Sequence, residues 1–121
     1  MDNFDTIMLS QEELDFLKET FYVQAMEMTE QLTEEVLALE ANGCKGESLA
    51  AVKRFFHTLK GDSSTIGLKD VADLIHRTED LLGELENKAV EFSSGVSDLL
   101  LKVIDEISGA VKSHKSGEKR R

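Results

Sequence analysis

The sequence predicts an all-α protein, an antiparallel up-down four-helix bundle. Three observations lead to this fold class. The 121 residues contain no proline and many Leu, Glu, Ala and Lys residues, a composition that favours helix over strand. Apolar residues recur at steps of three and four in four segments, and no segment alternates apolar with polar residues as a half-buried strand would. The connections between segments are short, which makes neighbouring helices antiparallel.

The first predicted helix has clear signals at both ends. Ser10 and Glu13 form a capping box at its start, and Asn42-Gly43 is a stop signal at its end. Its apolar stripe consists of Leu14, Phe21, Ala25, Met28, Leu32, Val36 and Leu39.

Three further stripes follow. The second helix ends at Gly67, the third fades at Asn87-Lys88, and the fourth begins at Ser93 or Ser94. Their stripes are Leu49, Val52, Phe56, Leu59, Ser63 and Ile66; then Leu68, Val71, Ile75, Leu82 and Leu85; then Val96, Leu100, Val103, Ile107 and Val111. We therefore expect one bundle over residues 10–113, an N-terminal extension over 1–9 and a flexible linker over 114–121.

Composition excludes several classes of function. The formal net charge of −10 argues against a nucleic-acid partner, because phosphate backbones require clustered Lys and Arg. No apolar run approaches the roughly 20 residues of a membrane-spanning helix, so we expect no membrane insertion. The single cysteine, Cys44, cannot form an internal disulfide, which fits a reducing compartment. With no signal-peptide pattern at the N-terminus, these features predict a cytoplasmic protein.

The stretch RFFHTLKGDSSTIG, residues 54–67, carries the candidate site. His57 follows the core residue Phe56, so it is rotated by about 100° from the core and points outward. Lys60 and Gly61 share its face, and Ser64 lies one turn further on. A glycine inside a helix costs about 1 kcal/mol of stability relative to alanine. This cost suggests that Gly61 leaves room beside His57 that a side chain would fill.

The third helix supplies a carboxylate. His76 and Glu79 lie on one flank of its apolar stripe, and if this flank borders the second helix, Glu79 can reach the imidazole of His57. A carboxylate that accepts Nδ1–H leaves the Nε2 lone pair facing solvent and stabilises positive charge on the ring. Lys60 then offers charge to an incoming anion such as a phosphoryl group, and Gly61 allows a ligand or another backbone to approach closely.

Two other interpretations compete with this one. The domain could be a helical scaffold that binds partners without chemistry, with His57 an ordinary surface residue. A metal site would need His57, His76 and Glu79 as its ligands. Lys60 at the centre would repel the cation, and the other helices offer no inward carboxylates as a di-iron bundle does. We therefore expect no metal.

At these residues the sequence resembles a histidine-containing phosphotransfer (HPt) domain. The motif His-x-x-Lys-Gly with small residues and a glycine after it is met by residues 57–67, and residues 72–82 are similar to the variant at the N-terminus of chemotaxis-type histidine kinases, the CheA family. The resemblance covers residues 10–113. It implies that His57 is phosphorylated at Nε2, that Glu79 binds the other ring nitrogen, and that Lys60 and His76 join the same network.

The resemblance also implies a reaction. His57 would take the γ-phosphoryl group of ATP from a kinase ATP-binding domain, in cis or in trans, and pass it to an aspartate of a response-regulator receiver domain. Gly61 and Ser64 would contact these partners. The alternative within the family is a free-standing HPt relay protein that is phosphorylated by a receiver.

Three expectations complete this interpretation. No glycine-rich phosphate loop is present, so we expect no ATP-dependent activity from this chain alone and no bound cofactor, with ATP and Mg²⁺ held on partner domains. The isolated domain should be monomeric. Asp62 departs from the family pattern, in which a small neutral residue is common at this position.

Overall fold

The structure, a computed structural model, describes residues 10–42 and 47–116. These residues form four helices and no strand: α1 (Gln11–Asn42), α2 (Glu47–Thr65), α3 (Lys69–Glu86) and α4 (Ser94–Ser116). The predicted fold class is confirmed. The predicted extension over 1–9, Cys44 and the last five residues of the predicted linker lie outside the described residues.

Two helices begin at the serine caps that the sequence indicates. At the start of α1, Glu13 N–H donates to Ser10 Oγ at 3.1 Å, while Ser10 N–H donates to Glu13 Oε1 at 2.8 Å. This reciprocal pair is a complete capping box. At the start of α4, Val96 N–H donates to Ser93 Oγ at 3.3 Å. Both caps satisfy backbone donors that a helix N-terminus otherwise leaves unpaired.

Gly67 sets the turn between α2 and α3. Its φ of +87° is left-handed, a conformation that glycine adopts without steric cost. Gly67 N–H donates to Ser64 O at 3.2 Å, and Leu68 N–H donates to Ser63 O at 2.8 Å. These two bonds form a Schellman motif, which ends α2 and reverses the chain within three residues. As a result α2 and α3 form a tight antiparallel hairpin.

The end of α3 uses the same motif without a glycine. Lys88 has a φ of +61°, and its N–H donates to Leu85 O at 3.2 Å while Ala89 N–H donates to Glu84 O at 2.9 Å. A side chain in this left-handed region costs about 1–2 kcal/mol. The sequence indicates the stop only weakly because no glycine marks it.

The helices pack in chain order around one core, with α1 against α2 and α4, and α3 against α2 and α4. The α2–α3 hairpin and the pair formed by α1 and α4 make the most extensive contacts, and α3 meets α4 least extensively. Within the described residues no Cα atoms of diagonally opposed helices lie within 8 Å of each other. The largest fully buried side chains are Phe56, Leu32, Leu39, Leu59, Ile75, Leu82, Leu100 and Ile107.

The predicted stripe of α1 is wrong at its start. Leu14 is exposed, and the first buried side chain of the helix is Phe21. With 32 residues α1 is about 48 Å long against about 28 Å for the 19 residues of α2, so the two helices cannot pack along their whole lengths. Tyr22 and Thr29 are buried although the predicted stripe omits them.

The fourth helix extends past the predicted boundary at residue 113, since it continues through Ser116. The His114 ring lies 5.9 Å from that of Tyr22, and Lys115 Nζ lies 3.4 Å from Glu19 Oε1. These contacts attach residues 114–116 to α1. No helix in the described ranges combines the length and hydrophobicity that crossing a membrane requires.

Candidate functional site

The core-facing residues of α2 fix the orientation of His57. Phe56 and Leu59 are fully buried on either side of it in the sequence, and they hold the helix against its neighbours. Because each residue turns the helix by about 100°, this anchoring directs His57 away from the core. Its side chain is 74% exposed. The imidazole therefore stands on a rigid helix while most of its ring surface is open to a partner.

Glu79 connects α3 to this histidine. Glu79 Oε2 lies 3.2 Å from His57 Nδ1, across 22 positions of sequence. The neighbours of Glu79 on α3 hold it in place: Thr78 is buried and donates to Leu74 O at 2.9 Å, and Leu82 is fully buried. The predicted approach of the Glu79 flank to α2 is confirmed.

Lys60 binds the second oxygen of the Glu79 carboxylate. Its Nζ donates to Glu79 Oε1 at 2.6 Å, and the two side chains are 28% and 23% exposed. Glu79 thus accepts from one group on each oxygen. The positive charge of Lys60 is balanced by Glu79 rather than being directed at solvent.

The charge state of Glu79 decides the tautomer of His57. Burial raises the pKa of Glu79, but the hydrogen bonds from Lys60 and His57 and their charges outweigh it, so the pKa lies below its ordinary value. Glu79 is therefore ionised at neutral pH and can only accept hydrogen bonds. His57 must donate Nδ1–H to it, which leaves the lone pair on Nε2.

The structure does not place His76 in this network. His76 lies one turn before Glu79 on α3, and its side chain is exposed. Within the described residues it forms no hydrogen bond or ion pair. The spacing puts both residues on one flank, yet the carboxylate of Glu79 is already engaged by Lys60 and His57.

Gly61 and Ser64 are both exposed on α2. A Cβ added to Gly61 would meet no atom within 4 Å. The fold therefore does not require a glycine here, and the space beside His57 is open to solvent. Ser64 takes part in the turn through its backbone, since its carbonyl accepts from Gly67 N–H.

A groove between α2 and α3 includes the candidate site. It encloses about 290 Å³ and is lined by Lys53, Arg54, His57, Glu79 and Leu82. Sequence reasoning missed the two cations, although Lys53 and Arg54 stand four and three residues before His57, the spacing that puts side chains on one helix face. Lys53 is paired with Glu86 at 2.6 Å.

Asp62 belongs to a different surface. It lines a second groove, between α1 and α2, together with Leu17, Thr20, Phe21, Gln24, Thr65 and Ile66. Its side chain is half-buried there, and burial raises its pKa. The carboxyl group is therefore not among the groups that surround His57.

The described residues contain no group of three or more His, Cys, Asp and Glu side chains that could hold a metal ion. His57 and Glu79 meet, but among the described residues His76 forms no hydrogen bond or ion pair with them, and the ammonium group of Lys60 donates to the carboxylate. These three side chains therefore do not converge on one point. The site offers an exposed histidine oriented by a carboxylate.

Comparison with known families identifies the protein family of this chain. The model of the Hpt domain family matches residues 17–110. The chain belongs to the Hpt domain family. The match contains all of α2 and α3, and with them His57, Lys60 and Glu79. Hpt domains are the histidine-containing phosphotransfer domains of two-component signalling.

Curated relatives of this Hpt domain include a chemotaxis protein and a sensor histidine kinase. The chain is 31% identical to the chemotaxis protein CheA of Treponema pallidum over 101 residues, which cover 84% of this chain and 12% of that protein. It is 32% identical to the sensor histidine kinase CheAY of Helicobacter pylori over 94 residues, covering 78% of this chain and 12% of that protein. The chain thus spans about 12% of the length of these two relatives.

A solved structure shares the fold. The CheA phosphotransferase domain from Thermotoga maritima superposes with a TM-score of 0.78 at 27% sequence identity, covering 88% of this chain and 99% of that one. The Hpt family, the chemotaxis relatives and this neighbour agree on the function class, phosphotransfer in two-component signalling.

Proposed function

We propose that His57 is the phosphoryl acceptor of this Hpt domain. One observation carries the proposal: His57 is 74% exposed while its Nδ1 lies 3.2 Å from the ionised carboxylate of Glu79. That contact keeps the proton on Nδ1 and leaves the Nε2 lone pair facing a partner. Of the three histidines, His57 is the one that the structure joins to a carboxylate.

The reaction follows from this orientation. The Nε2 lone pair attacks the γ-phosphorus of ATP held by a separate kinase domain. A nitrogen–phosphorus bond forms, and the bond from phosphorus to the β,γ-bridging oxygen breaks with its electron pair leaving on ADP. The ring becomes cationic with Nδ1–H still in place, and Glu79 stabilises that charge. Mg²⁺ and the ATP-binding groups belong to the partner, and this domain binds no cofactor of its own.

The second step breaks the nitrogen–phosphorus bond that the first step forms. A carboxylate oxygen of a receiver aspartate attacks the phosphorus, the nitrogen–phosphorus bond breaks, and its electron pair returns to Nε2. The exposed helix around Gly61 and Ser64 gives the receiver access, because no side chain stands beside His57 at position 61. Phosphoryl transfer depends mainly on positioning and charge neutralisation, so a small set of groups suffices.

The partners are a kinase ATP-binding domain, in cis or in trans, and a receiver domain, with the isolated Hpt domain acting as a monomer. One curated relative is a sensor histidine kinase, which supports ATP as the source over a relay from a receiver. Dependence on ATP places the reaction in the cytoplasm, and the single cysteine is consistent with a reducing compartment.

The test is phosphorylation by a chemotaxis kinase core with ATP labelled at the γ-phosphate. We expect label on the native domain that is labile in acid and stable in alkali, and its loss in His57→Gln. His76→Gln is the matched control, since His76 is also exposed near Glu79 but forms no hydrogen bond or ion pair with it among the described residues. Equal labelling of His57→Gln and the native domain would refute the proposal.

A further inference from the structure

Two of the three cations near His57 are neutralised by carboxylates. Lys60 Nζ lies 2.6 Å from Glu79 Oε1, and Lys53 Nζ lies 2.6 Å from Glu86 Oε1. Arg54 lines the same groove as His57, but its guanidinium pairs with no carboxylate of the described residues. The uncompensated positive charge in this groove therefore belongs to Arg54.

We propose that Arg54 is a phosphate-binding residue, whose guanidinium contacts the non-bridging oxygens of the phosphoryl group on its way to or from His57. The inference rests on the proposed function and adds a residue to it. Arginine suits the task because its planar, permanently charged fork can bind two phosphate oxygens at once.

The position of Arg54 supports this role. It stands three residues before His57 on α2, which places both side chains on one face of the helix. Its guanidinium carbon lies 5.6 Å from the centroid of the Phe55 ring. Phe55 is two residues before His57 and therefore lies about 200° from it around the helix. Binding an anion at His57 thus requires the exposed Arg54 side chain to turn from the Phe55 ring toward the groove that it shares with His57.

The acidic groups around Arg54 do not cancel its charge. Glu79 shares the groove but already accepts from Lys60 and His57. Glu35 and Glu47 border a neighbouring hollow that Arg54 also lines, and neither forms an ion pair with it. An anion entering the groove thus meets a guanidinium that is free to bind it.

Lys60 is less suited to this task. To bind a phosphoryl group it would have to give up Glu79, the same carboxylate that orients His57. Arg54 supplies positive charge with no such loss. It exchanges no proton in either step, because a guanidinium stays protonated at any physiological pH. Its part is to neutralise charge on the three equatorial oxygens while phosphorus moves between oxygen and Nε2.

The experiment compares two phosphoryl donors. Initial rates of His57 phosphorylation are measured with a kinase core plus ATP, and with phosphoramidate, which needs no protein partner. We expect Arg54→Gln to lower both rates about tenfold or more, the loss of one charge-assisted hydrogen bond. Arg54→Lys should recover part of the rate. Lys102→Gln is the matched control and should stay within about twofold of the native rates, since Lys102 is an exposed cation of α4 that does not line this groove.

A second readout separates phosphate binding from a structural role. The pH midpoint of the ³¹P chemical shift of the phosphohistidine reports the second ionisation of the phosphoryl group. Arg54 stabilises its dianion, so we expect a higher midpoint in Arg54→Gln, with the thermal unfolding temperature unchanged. A native midpoint and native rates in Arg54→Gln would overturn the proposal.

The two donors also distinguish the remaining outcomes. If only the kinase-dependent rate falls in Arg54→Gln, Arg54 contacts the kinase domain and not the phosphoryl group, and the proposal is wrong. If the native domain is labelled by neither donor, the proposed function itself fails, and this inference fails with it.

Discussion

Lys60 and Glu79 form the shortest polar contact of the site, at 2.6 Å between Nζ and Oε1. It joins α2 to α3 at the level of His57, whose Nδ1 lies 3.2 Å from the other oxygen of Glu79. One carboxylate thus serves two purposes. It links α2 to α3 through Lys60, and it fixes the proton of His57 on Nδ1.

Replacing Glu79 with Gln should slow phosphorylation of His57 while leaving the bundle folded. The amide keeps the shape of the side chain but cannot balance the positive charge that develops on the ring. We expect a rate about tenfold lower, as for the loss of one charge-assisted hydrogen bond. The change in the free energy of unfolding should stay below about 1 kcal/mol because the pair is partly exposed.

Initial rates with a kinase core and ATP, together with urea denaturation, measure both effects. Glu84→Gln is the matched control: it makes the same change on the same helix, at an exposed side chain that does not line the groove of His57. A Glu79→Gln domain that is unfolded at neutral pH would contradict the assigned role, as would one phosphorylated at the native rate.

Substituting Gly61 with Ala should stabilise the fold and slow the partner reaction. The new Cβ meets no atom within 4 Å, so the helix gains about 1 kcal/mol of stability from the better propensity of alanine. The same methyl group narrows the approach to His57. We expect slower transfer to a receiver domain in stopped-flow measurements, with a native rate for phosphoramidate.

Gly109→Ala provides the comparison for Gly61→Ala. Gly109 is an exposed glycine of α4 whose added Cβ also meets no atom within 4 Å. It should raise the melting temperature equally and leave phosphotransfer unchanged. Loss of stability in Gly61→Ala would mean that the glycine serves the fold.

Changing Asp62 to Asn should stabilise the protein at pH 7. Burial raises the pKa of Asp62, so the folded state binds this proton more tightly than the unfolded chain does. The stability linked to this proton is fully present below the ordinary aspartate pKa and is lost as pH rises through the folded value. At pH 7 the half-buried charge is therefore unfavourable, and removing it should gain up to about 0.5 kcal/mol.

Urea denaturation at pH 7 and at pH 3.5 tests whether the pKa of Asp62 is raised in the folded state. The advantage of Asp62→Asn over the native domain should shrink at the lower pH, where the native carboxyl is protonated in both states. Asp73→Asn, at an exposed position of α3, controls for the loss of one negative charge. An advantage that grows on acidification would show that the shift has the opposite direction.

Replacing Lys88 with Gly should stabilise the end of α3. The φ of +61° costs a lysine about 1–2 kcal/mol and costs a glycine little, although glycine loses more entropy on folding. We expect a net gain of about 0.5–1 kcal/mol in the free energy of unfolding.

The opposite change provides the control. Gly67→Ala puts a side chain at a φ of +87° where no neighbour obstructs it, so any loss of stability comes from the backbone conformation alone. The melting temperature should rise for Lys88→Gly and fall for Gly67→Ala. A fall for Lys88→Gly would show that its aliphatic stem packs in a way that offsets the strain.

Much of the fold was predictable because its signals are local. The capping box at Ser10 and the stop at Gly67 involve residues within one turn of each other. The apolar period then fixes which face of each helix is buried. Lys88 shows the limit of this reasoning, since any residue can be forced into a left-handed turn when packing on both sides demands it.

The site was predictable only in part. The apolar stripe of α3 places Glu79 on one flank of the helix, but the packing of the bundle decides that this flank meets α2 and brings Glu79 to His57. The choice of Lys60, rather than His76, as the second partner of Glu79 depends on side-chain conformations across two helices. The charge balance that singles out Arg54 depends on the same cross-helix pairs. Spacing along one helix contains no information about either.

Because the chain turns at Gly67, the residues of the site all come from one continuous segment, the α2–α3 hairpin. Every group bonded to His57 or to its carboxylate partner lies between positions 57 and 79, on one hairpin, while α1 and α4 contribute no hydrogen bond to it. The chemistry is therefore modular. Helices α1 and α4 can therefore change their outer surfaces without altering the bonds of His57, as long as they continue to bury the hairpin's apolar side.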